Sequence, residues 1–212
     1  EFGPDVCVDF IEKFLEANKD ESFFVYYPMI LPHCPFVPTP GTLDYDPNSP
    51  GSPTYKGDAK YFKNMVEYVD QLVGRIASKV DELGLSENTL IVFTGDNGTD
   101  VPVVTSLNGK SVAGGKGKAN HDSGVRTPFF VTMPGTVQAG KVSDELVDFS
   151  DLLPTFCELA KIDTSENKNL DGVSLLPTLI GKGERKKPWS YLFYSRNDAT
   201  QPASSVVVRN AT

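Results

Sequence analysis

A carboxylate and an amide side chain, Asp96 and Asn97, stand directly after an unbroken apolar run in this sequence. The run, residues 90–93, is typical of a buried parallel strand, because such strands are covered on both faces and do not alternate. Functional sites of open α/β sheets lie outside the carboxyl ends of such strands. The two side chains offer the oxygen donors that suit Ca²⁺ or Mg²⁺. Taken alone, however, Asn97-Gly98 is more typical of a turn than of a metal site.

Two further segments hold residues that could carry chemistry. His33 lies between prolines in Pro32-His33-Cys34-Pro35, and a stiff loop suits a catalytic side chain, although a loop histidine without a role is the commoner case. Lys116 lies among glycines in residues 114–117, where the backbone and a lysine could approach an anion closely. The alternative for that segment is a flexible surface loop. A nucleotide P-loop is not indicated, because no Ser or Thr follows Lys116.

Composition and charge exclude several classes of function. The chain has 212 residues and a formal net charge of -8, and its longest basic run is residues 185–187. No basic face is therefore expected to bind nucleic acid. No apolar run reaches the length of a membrane helix, so no membrane segment is predicted. The three cysteines, Cys7, Cys34 and Cys157, are far apart and predict neither a disulfide framework nor a zinc site.

Helical and strand patterns alternate along the chain, which predicts an α/β fold. Apolar residues at helical spacing predict helices over residues 4–15, 62–80 and 152–161, the second of them ending at Gly84. Strands are predicted over residues 22–27, 89–96, 127–133, 189–194 and 205–209, with the last two possible antiparallel partners. The proline-rich residues 28–53 and the glycine-rich residues 109–117 are predicted to be loops.

Separately these signals are weak, but in their order and spacing they resemble the sulfatase family over nearly the whole chain. The blocks that carry the resemblance are residues 23–27, 32–35, 65–70, 73–76, 88–98, 115–117, 124–131, 151–155 and 170–177. The resemblance implies an alkaline-phosphatase-like α/β fold with a mainly parallel central sheet. It also implies hydrolysis of sulfate esters with a bound divalent cation, Ca²⁺ being the usual ion, and no nucleic-acid partner.

The resemblance assigns roles to the residues singled out above. Asp96 and Asn97 match the later pair of metal ligands in the family. Lys116 matches a lysine that contacts the sulfate, and His33 matches a histidine that contacts the sulfate and the leaving-group oxygen. His33 and Lys116 are therefore the expected catalytic and substrate-binding residues of this chain.

The chain also departs from the family pattern. The family nucleophile is a formylglycine made from the first residue of a Cys/Ser-x-Pro-x-Arg motif, and none of Cys7, Cys34 or Cys157 begins that motif. The early acidic metal ligands and a Lys-x-His element also have no counterpart. The simplest interpretation is a carboxyl-terminal portion of a sulfatase, inactive by itself. In this interpretation, residues 1–187 belong to the catalytic domain and residues 188–212 begin a small antiparallel subdomain.

Two alternatives remain open at the level of sequence. One is a phosphate or phosphonate ester hydrolase of the same superfamily, and the other is a non-catalytic module that binds a partner or a glycan. The substrate is expected to be a small-molecule or glycan sulfate ester, with residues 42–61 and 99–112 the best candidates to line its pocket. The resemblance suggests a periplasmic, secreted or lysosomal protein.

Overall fold

The computed structural model describes residues 1–167, 169–183, 185–194 and 205–210. The chain divides into two compact units, residues 1–129 and 130–212. Both units contain helices and strands, as expected for an α/β protein. No helix in the described part of the chain combines the length and the apolar character needed to span a bilayer.

The first unit is built on two long helices, α1 (Gly3–Ala17) and α2 (Phe62–Glu82). Both have apolar residues at intervals of three and four, which places one apolar stripe on each helix and buries it between them. Residues Val8, Ile11 and Leu15 of α1, with Met65, Val69, Leu72 and Val80 of α2, are buried. Across the exposed edge of this pair, the Arg75 guanidinium donates hydrogen bonds to Asp9 at 2.5 Å and Glu12 at 2.8 Å.

Four short strands follow the two long helices, and the last of them begins at the boundary of the first unit. The strand β1 (Ile91–Thr94) follows α2, and β4 (Phe129–Thr132) begins directly after Pro128. Between them, β2 (Val104–Leu107) and β3 (Lys110–Ala113) form an antiparallel hairpin, and α3 (Asp122–Val125) is a single helical turn. The hairpin corrects part of the predicted loop over residues 109–117, because residues 110–113 form β3, whereas residues 114–117 belong to no helix or strand. Its two-residue turn has positive φ at both Asn108 and Gly109, the conformation of a type I′ turn.

The predicted strand over residues 22–27 is wrong, because the structure forms no strand there. Two side chains of this segment, Phe23 and Tyr27, instead pack on the core of the first unit, whereas Phe24 and Tyr26 are exposed. Phe23 lies edge-on against Phe14 of α1, with ring centroids 6.2 Å apart, and Tyr27 packs against both core clusters of the first unit. A strand also needs a neighbouring backbone to pair with, and no described strand pairs with these residues.

The second unit contains α4 (Leu152–Leu159), α5 (Leu176–Leu179), and the antiparallel pair β5 (Trp189–Tyr194) and β6 (Ser205–Asn210). The pairing runs from Trp189 opposite Asn210 to Tyr194 opposite Ser205, which confirms the prediction of two antiparallel strands. The 3₁₀ turn Phe149–Asp151 leads into α4, and Asp148 caps it through its side chain. The predicted boundary between residues 187 and 188 stays a prediction.

The carboxylate of Asp151 organises the second unit. It is fully buried and accepts hydrogen bonds from the Val173 backbone N–H at 2.9 Å and the Arg185 guanidinium at 3.0 Å, with Lys187 Nζ at 2.6 Å. One turn further along, the Thr155 hydroxyl accepts from the Leu175 N–H at 2.8 Å. These bonds attach the segment around residues 173–175 to the start of α4.

Candidate functional site

The first candidate segment is the acidic loop, residues 96–100, which follows β1. The strand ends at Thr94, two residues before the predicted metal ligands. Asp96 is exposed and Asn97 is half-buried, so both can present oxygen donors to a ligand. Gly98 fixes the course of the loop, because its N–H donates to Gly124 O at 2.9 Å and a Cβ there would lie 2.0 Å from Ser123 O. Only glycine fits such a close backbone approach.

The second candidate segment is the lysine loop, residues 114–118, which packs directly against the acidic loop. The backbone N–H groups of Gly115 and Lys116 both donate to the Thr99 carbonyl oxygen, each at 2.9 Å. A Cβ on Gly115 would lie 2.2 Å from Ser123 Oγ. The Thr99 carbonyl and the close approach of both Gly98 and Gly115 to Ser123 hold the two loops together. The backbone of Lys116, a half-buried residue, therefore lies next to the loop that carries Asp96 and Asn97.

A small cavity of about 150 Å³ opens at this junction, within the first unit. Asn97 from the acidic loop and Gly114 from the lysine loop both line it, together with Arg126. The hairpin contributes Thr105 and Val112, which lie close to or inside the segment predicted to line a substrate pocket. Polar side chains from separate segments thus converge on one concave surface, as is usual for ligand sites.

The third candidate segment is the histidine loop, residues 31–36. Three of its side chains, Leu31, Cys34 and Phe36, are buried in the main core of the first unit, so the loop is anchored at both ends. The peptide bonds preceding Pro32 and Pro35 are cis. His33 lies between these anchors and is exposed.

The orientation of the His33 ring follows from one hydrogen bond. Nδ1 lies 2.6 Å from the Cys34 carbonyl oxygen, which can only accept, so Nδ1 carries the hydrogen. Nε2 is then the nitrogen that remains for a ligand. The backbone N–H of His33 donates to Ile30 O at 2.9 Å, which further restrains the loop.

Asp100, which the sequence did not single out, joins the histidine loop to the acidic loop. Its carboxylate forms an ion pair with Lys56 and accepts from the Val101 N–H at 2.8 Å. Burial raises the pKa of Asp100, but hydrogen bonds from Lys56, Val101 and the Cys34 thiol outweigh that effect and leave the pKa below its usual range. No sequence signal identified this residue, because Lys56 lies 44 residues away.

The four predicted site residues are thus held on three loops that adjoin through their backbones and through Asp100. No hydrogen bond within the described residues directly joins the side chains of His33, Asp96, Asn97 and Lys116. The described part of the chain also contains no cluster of three or more metal-ligating His, Cys, Asp or Glu side chains. The carboxylate of Asp96 and the amide oxygen of Asn97 have the donor chemistry of Ca²⁺ ligands, but they are two of the roughly six to eight that the ion takes.

Oxygen donors, a lysine and a histidine thus lie on adjoining loops of one α/β unit, and these are groups with the chemistry to bind an anionic ligand. Residues 4–162 match the family described as Sulfatase, and residues 117–211 match the family described as N-sulphoglucosamine sulphohydrolase, C-terminal. The chain belongs to the sulfatase family. The resemblance seen in the sequence is therefore confirmed.

Curated relatives agree with this assignment. The N-acetylgalactosamine-6-sulfatase of Canis lupus familiaris is 30% identical over 195 residues, which are 91% of this chain and 34% of the relative. The steryl-sulfatase of Homo sapiens is 36% identical over 143 residues, which are 64% of this chain and 24% of the relative. The chain therefore spans about a third or less of the length of these relatives.

Solved structures agree with the fold. The crystal structure of Ps i-CgsB in complex with k-i-k-neocarrahexaose is 28% identical with a TM-score of 0.70, and the match covers 92% of this chain and 42% of that one. A second crystal structure of Ps i-CgsB is 26% identical with a TM-score of 0.67, and the match covers 99% of this chain and 48% of that one. The expected alkaline-phosphatase-like fold, here a partial domain, is confirmed by these likenesses.

Proposed function

We propose that the complete polypeptide containing this chain is a sulfuric ester hydrolase that cleaves sulfate monoesters. The observation that carries the proposal is the packing of the lysine loop on the acidic loop, in a chain that matches the sulfatase family over residues 4–162. The Thr99 carbonyl attaches the backbone of Lys116 to the loop that carries Asp96 and Asn97, and this attachment supports a shared site. The substrate is a small-molecule or glycan sulfate ester, since the names of the relatives include both a sterol and a sugar sulfatase.

Lys116 and His33 act on the two ends of the ester bond that breaks. Negative charge builds on the leaving-group oxygen as the S–O bond lengthens, and a preorganised ammonium group stabilises a sulfate better in a concave site than in water. The restrained backbone and the half-buried position of Lys116 favour such a role for its ammonium group. In its doubly protonated form, His33 donates a hydrogen bond or a proton to the leaving-group oxygen through Nε2–H, because its Nδ1–H is engaged by the Cys34 carbonyl.

Asp96 and Asn97 would hold a divalent cation, Ca²⁺ by the chemistry of their oxygens. When bound, such an ion neutralises charge on the sulfate oxygens. The remaining ligands and the formylglycine nucleophile come from outside these 212 residues, because no Cys or Ser in the sequence begins a Cys/Ser-x-Pro-x-Arg motif. The 212-residue chain by itself is therefore expected to show no turnover. The polypeptide would act in a periplasmic, secreted or lysosomal setting.

The test compares Lys116→Ala with the matched control Lys118→Ala in the complete polypeptide. Lys118 is an exposed lysine of the same loop, so its loss removes an equal charge without removing the proposed contact. Lys116→Ala is expected to lower kcat on an aryl sulfate by at least ~10²-fold, because a preorganised transition-state contact is lost. Equal losses in the two variants would show that only the overall charge matters and would refute the role of Lys116.

His33→Ala is measured on an activated aryl sulfate and on an alkyl or sugar sulfate. The loss is expected to be greater for the alkyl or sugar ester, because a poor leaving group needs protonation and a good one does not. Equal losses on both would contradict a leaving-group role. A clear preference for an aryl phosphate over the aryl sulfate would instead favour the phosphate-ester alternative.

A further inference from the structure

A continuous path of contacts leads from the histidine loop to the lysine loop, and Asp100 lies at its centre. At one end, the Phe36 N–H donates to Lys56 O at 2.9 Å, and Phe36 O accepts from the Asp58 N–H at 3.0 Å. A Cβ on Gly57 would lie 2.2 Å from Phe36 O, so the two backbones are in direct contact. The backbone of Lys56 is thereby attached to the end of the histidine loop.

The side chain of Lys56 continues the path to Asp100. The ion pair joins a lysine side chain that is 48% exposed to a carboxylate that is 13% exposed. The Cys34 thiol, which is buried beside His33, helps to lower the pKa of the same carboxylate. The Asp100 carboxylate therefore pairs with the segment that braces the histidine loop and lies near the buried thiol of that loop.

The backbone around Asp100 reaches the lysine loop. Asp100 O accepts from the Val103 N–H at 3.1 Å, and the Gly114 N–H donates to Val103 O at 2.8 Å. A Cβ on Gly114 would lie 2.0 Å from Asp100 O. The preceding residue, Thr99, provides the carbonyl oxygen that holds Lys116. A shift of Asp100 would therefore be transmitted to both loops.

We infer that Asp100 is a positioning residue, whose carboxylate holds the histidine loop in register with the lysine loop. It touches neither the proposed substrate groups nor the reacting atoms and acts through Lys56 and Cys34. The inference rests on the proposed function as far as catalysis is concerned. The structural part, the attachment of the histidine loop, does not depend on it.

The kinetic test uses Asp100→Asn and Lys56→Met in the complete polypeptide, singly and together. Each single variant is expected to lower kcat by roughly 10-fold to 100-fold with a smaller change in KM, since a displacement of about 1 Å can have that effect on a reaction. The double variant is expected to be no slower than the worse single variant, because both remove the same ion pair. Lys56→Arg is expected to restore most of kcat. Multiplicative losses in the double variant would overturn the inference.

Glu16→Gln is the matched control for these variants. Glu16 also pairs with a lysine from a distant segment, Lys79 at 2.9 Å, but on the surface of the helix pair. Its neutralisation is expected to leave kcat unchanged, because exposed ion pairs contribute little. A loss of kcat equal to that of Asp100→Asn would indicate a general effect of charge and would count against Asp100.

A second readout, alkylation of Cys34, separates the inference from the proposed function. Cys34 is buried and Cys7 is exposed, so peptide mass spectrometry can follow Cys34 with Cys7 as the internal reference. Release of the histidine loop is expected to raise the rate of Cys34 alkylation roughly 10-fold in both single variants, which is the factor for one lost charge-assisted hydrogen bond. Lys56→Met leaves the Asp100 charge beside the thiol, so faster labelling there reports release and not a change of charge. Unchanged labelling in both variants would overturn the inference, even if no sulfate ester proved to be a substrate.

Discussion

Removal of the Asp151 carboxylate should unfold the second unit under mild conditions. Asp151 is 0% exposed, and the side chains of its partners Arg185 and Lys187 are 1% and 6% exposed. Asp151→Ala would leave two buried cations and the Val173 N–H without this acceptor. Without Asp151, Arg185 keeps only the carboxylate of Glu145, at 2.9 Å, and Lys187 only that of Asp148, at 2.8 Å, among the described residues, so both cations lose their one fully buried carboxylate. Breaking a buried ion pair by removing one partner costs about 3–5 kcal/mol. That is a large part of the roughly 5–15 kcal/mol that stabilises a typical domain.

The assay is urea unfolding of the 212-residue chain followed by the fluorescence of Trp189, the only tryptophan of the sequence. Trp189 begins β5 in the second unit, so its signal reports that unit. With a urea dependence of about 1–3 kcal/mol/M, a loss of about 4 kcal/mol moves the midpoint down by roughly 2 M. The urea midpoint of Asp151→Asn should lie between those of Asp151→Ala and the unsubstituted chain, because asparagine retains the shape of the side chain and one oxygen acceptor.

Asp144→Asn is the control, because Asp144 is an exposed carboxylate of the same unit. Its substitution should change the free energy of unfolding by no more than about 0.5 kcal/mol. A loss below about 1 kcal/mol in Asp151→Ala would refute the reasoning. It would show that water reaches Arg185 and Lys187 and that the carboxylate is not the centre of the unit.

Two further predictions concern a close backbone contact and a pH dependence. Gly98→Ala should destabilise the first unit and lower the activity of the complete polypeptide, because its Cβ would lie 2.0 Å from Ser123 O. The control Gly74→Ala adds a Cβ on α2 with nothing within 4 Å and should stabilise the first unit by up to about 1 kcal/mol. Urea midpoints and kcat values of the two variants check this prediction, and equal midpoints would contradict it. Burial raises the pKa of Asp148, but hydrogen bonds from Lys187, Ser150 and Ser190 outweigh it and lower the pKa. The stabilisation is therefore complete above the unfolded-state pKa of about 3.9 and is lost as the pH falls through the lower folded-state pKa. At pH values below about 4, the urea midpoint followed by Trp189 should therefore decrease, and the decrease should be smaller in Asp148→Asn.

The helices were predictable because their determinants are local. Apolar residues at helical spacing predicted α2, and Met65, Val69, Leu72 and Val80 are indeed buried. Gly84 adopts the positive φ of 70° that a helix end of this kind requires. Local spacing and the conformational freedom of one glycine are sufficient information for such an element.

The strands were predicted less well, because a strand exists only with a partner. Residues 22–27 have the composition of a strand, but they form none, and Phe23 packs on Phe14 of α1 instead. The hairpin of β2 and β3 was missed, although Asn108-Gly109 is the dipeptide that favours its turn. The glycines at residues 114, 115 and 117 favoured the prediction of a loop over the whole segment.

The sequence by itself nominated His33, Asp96, Asn97 and Lys116, since their residue types and family spacing are readable in one dimension. It also established the sulfatase family, to which the chain belongs. Only the tertiary structure showed how their loops are held together. Asp100 meets Lys56 across 44 residues, and Asp151 meets Arg185 across 34. Such pairs form because folding removes two distant charged groups from water at the same place, where each needs the other as a partner. The sequence around one partner contains no local pattern that identifies the other.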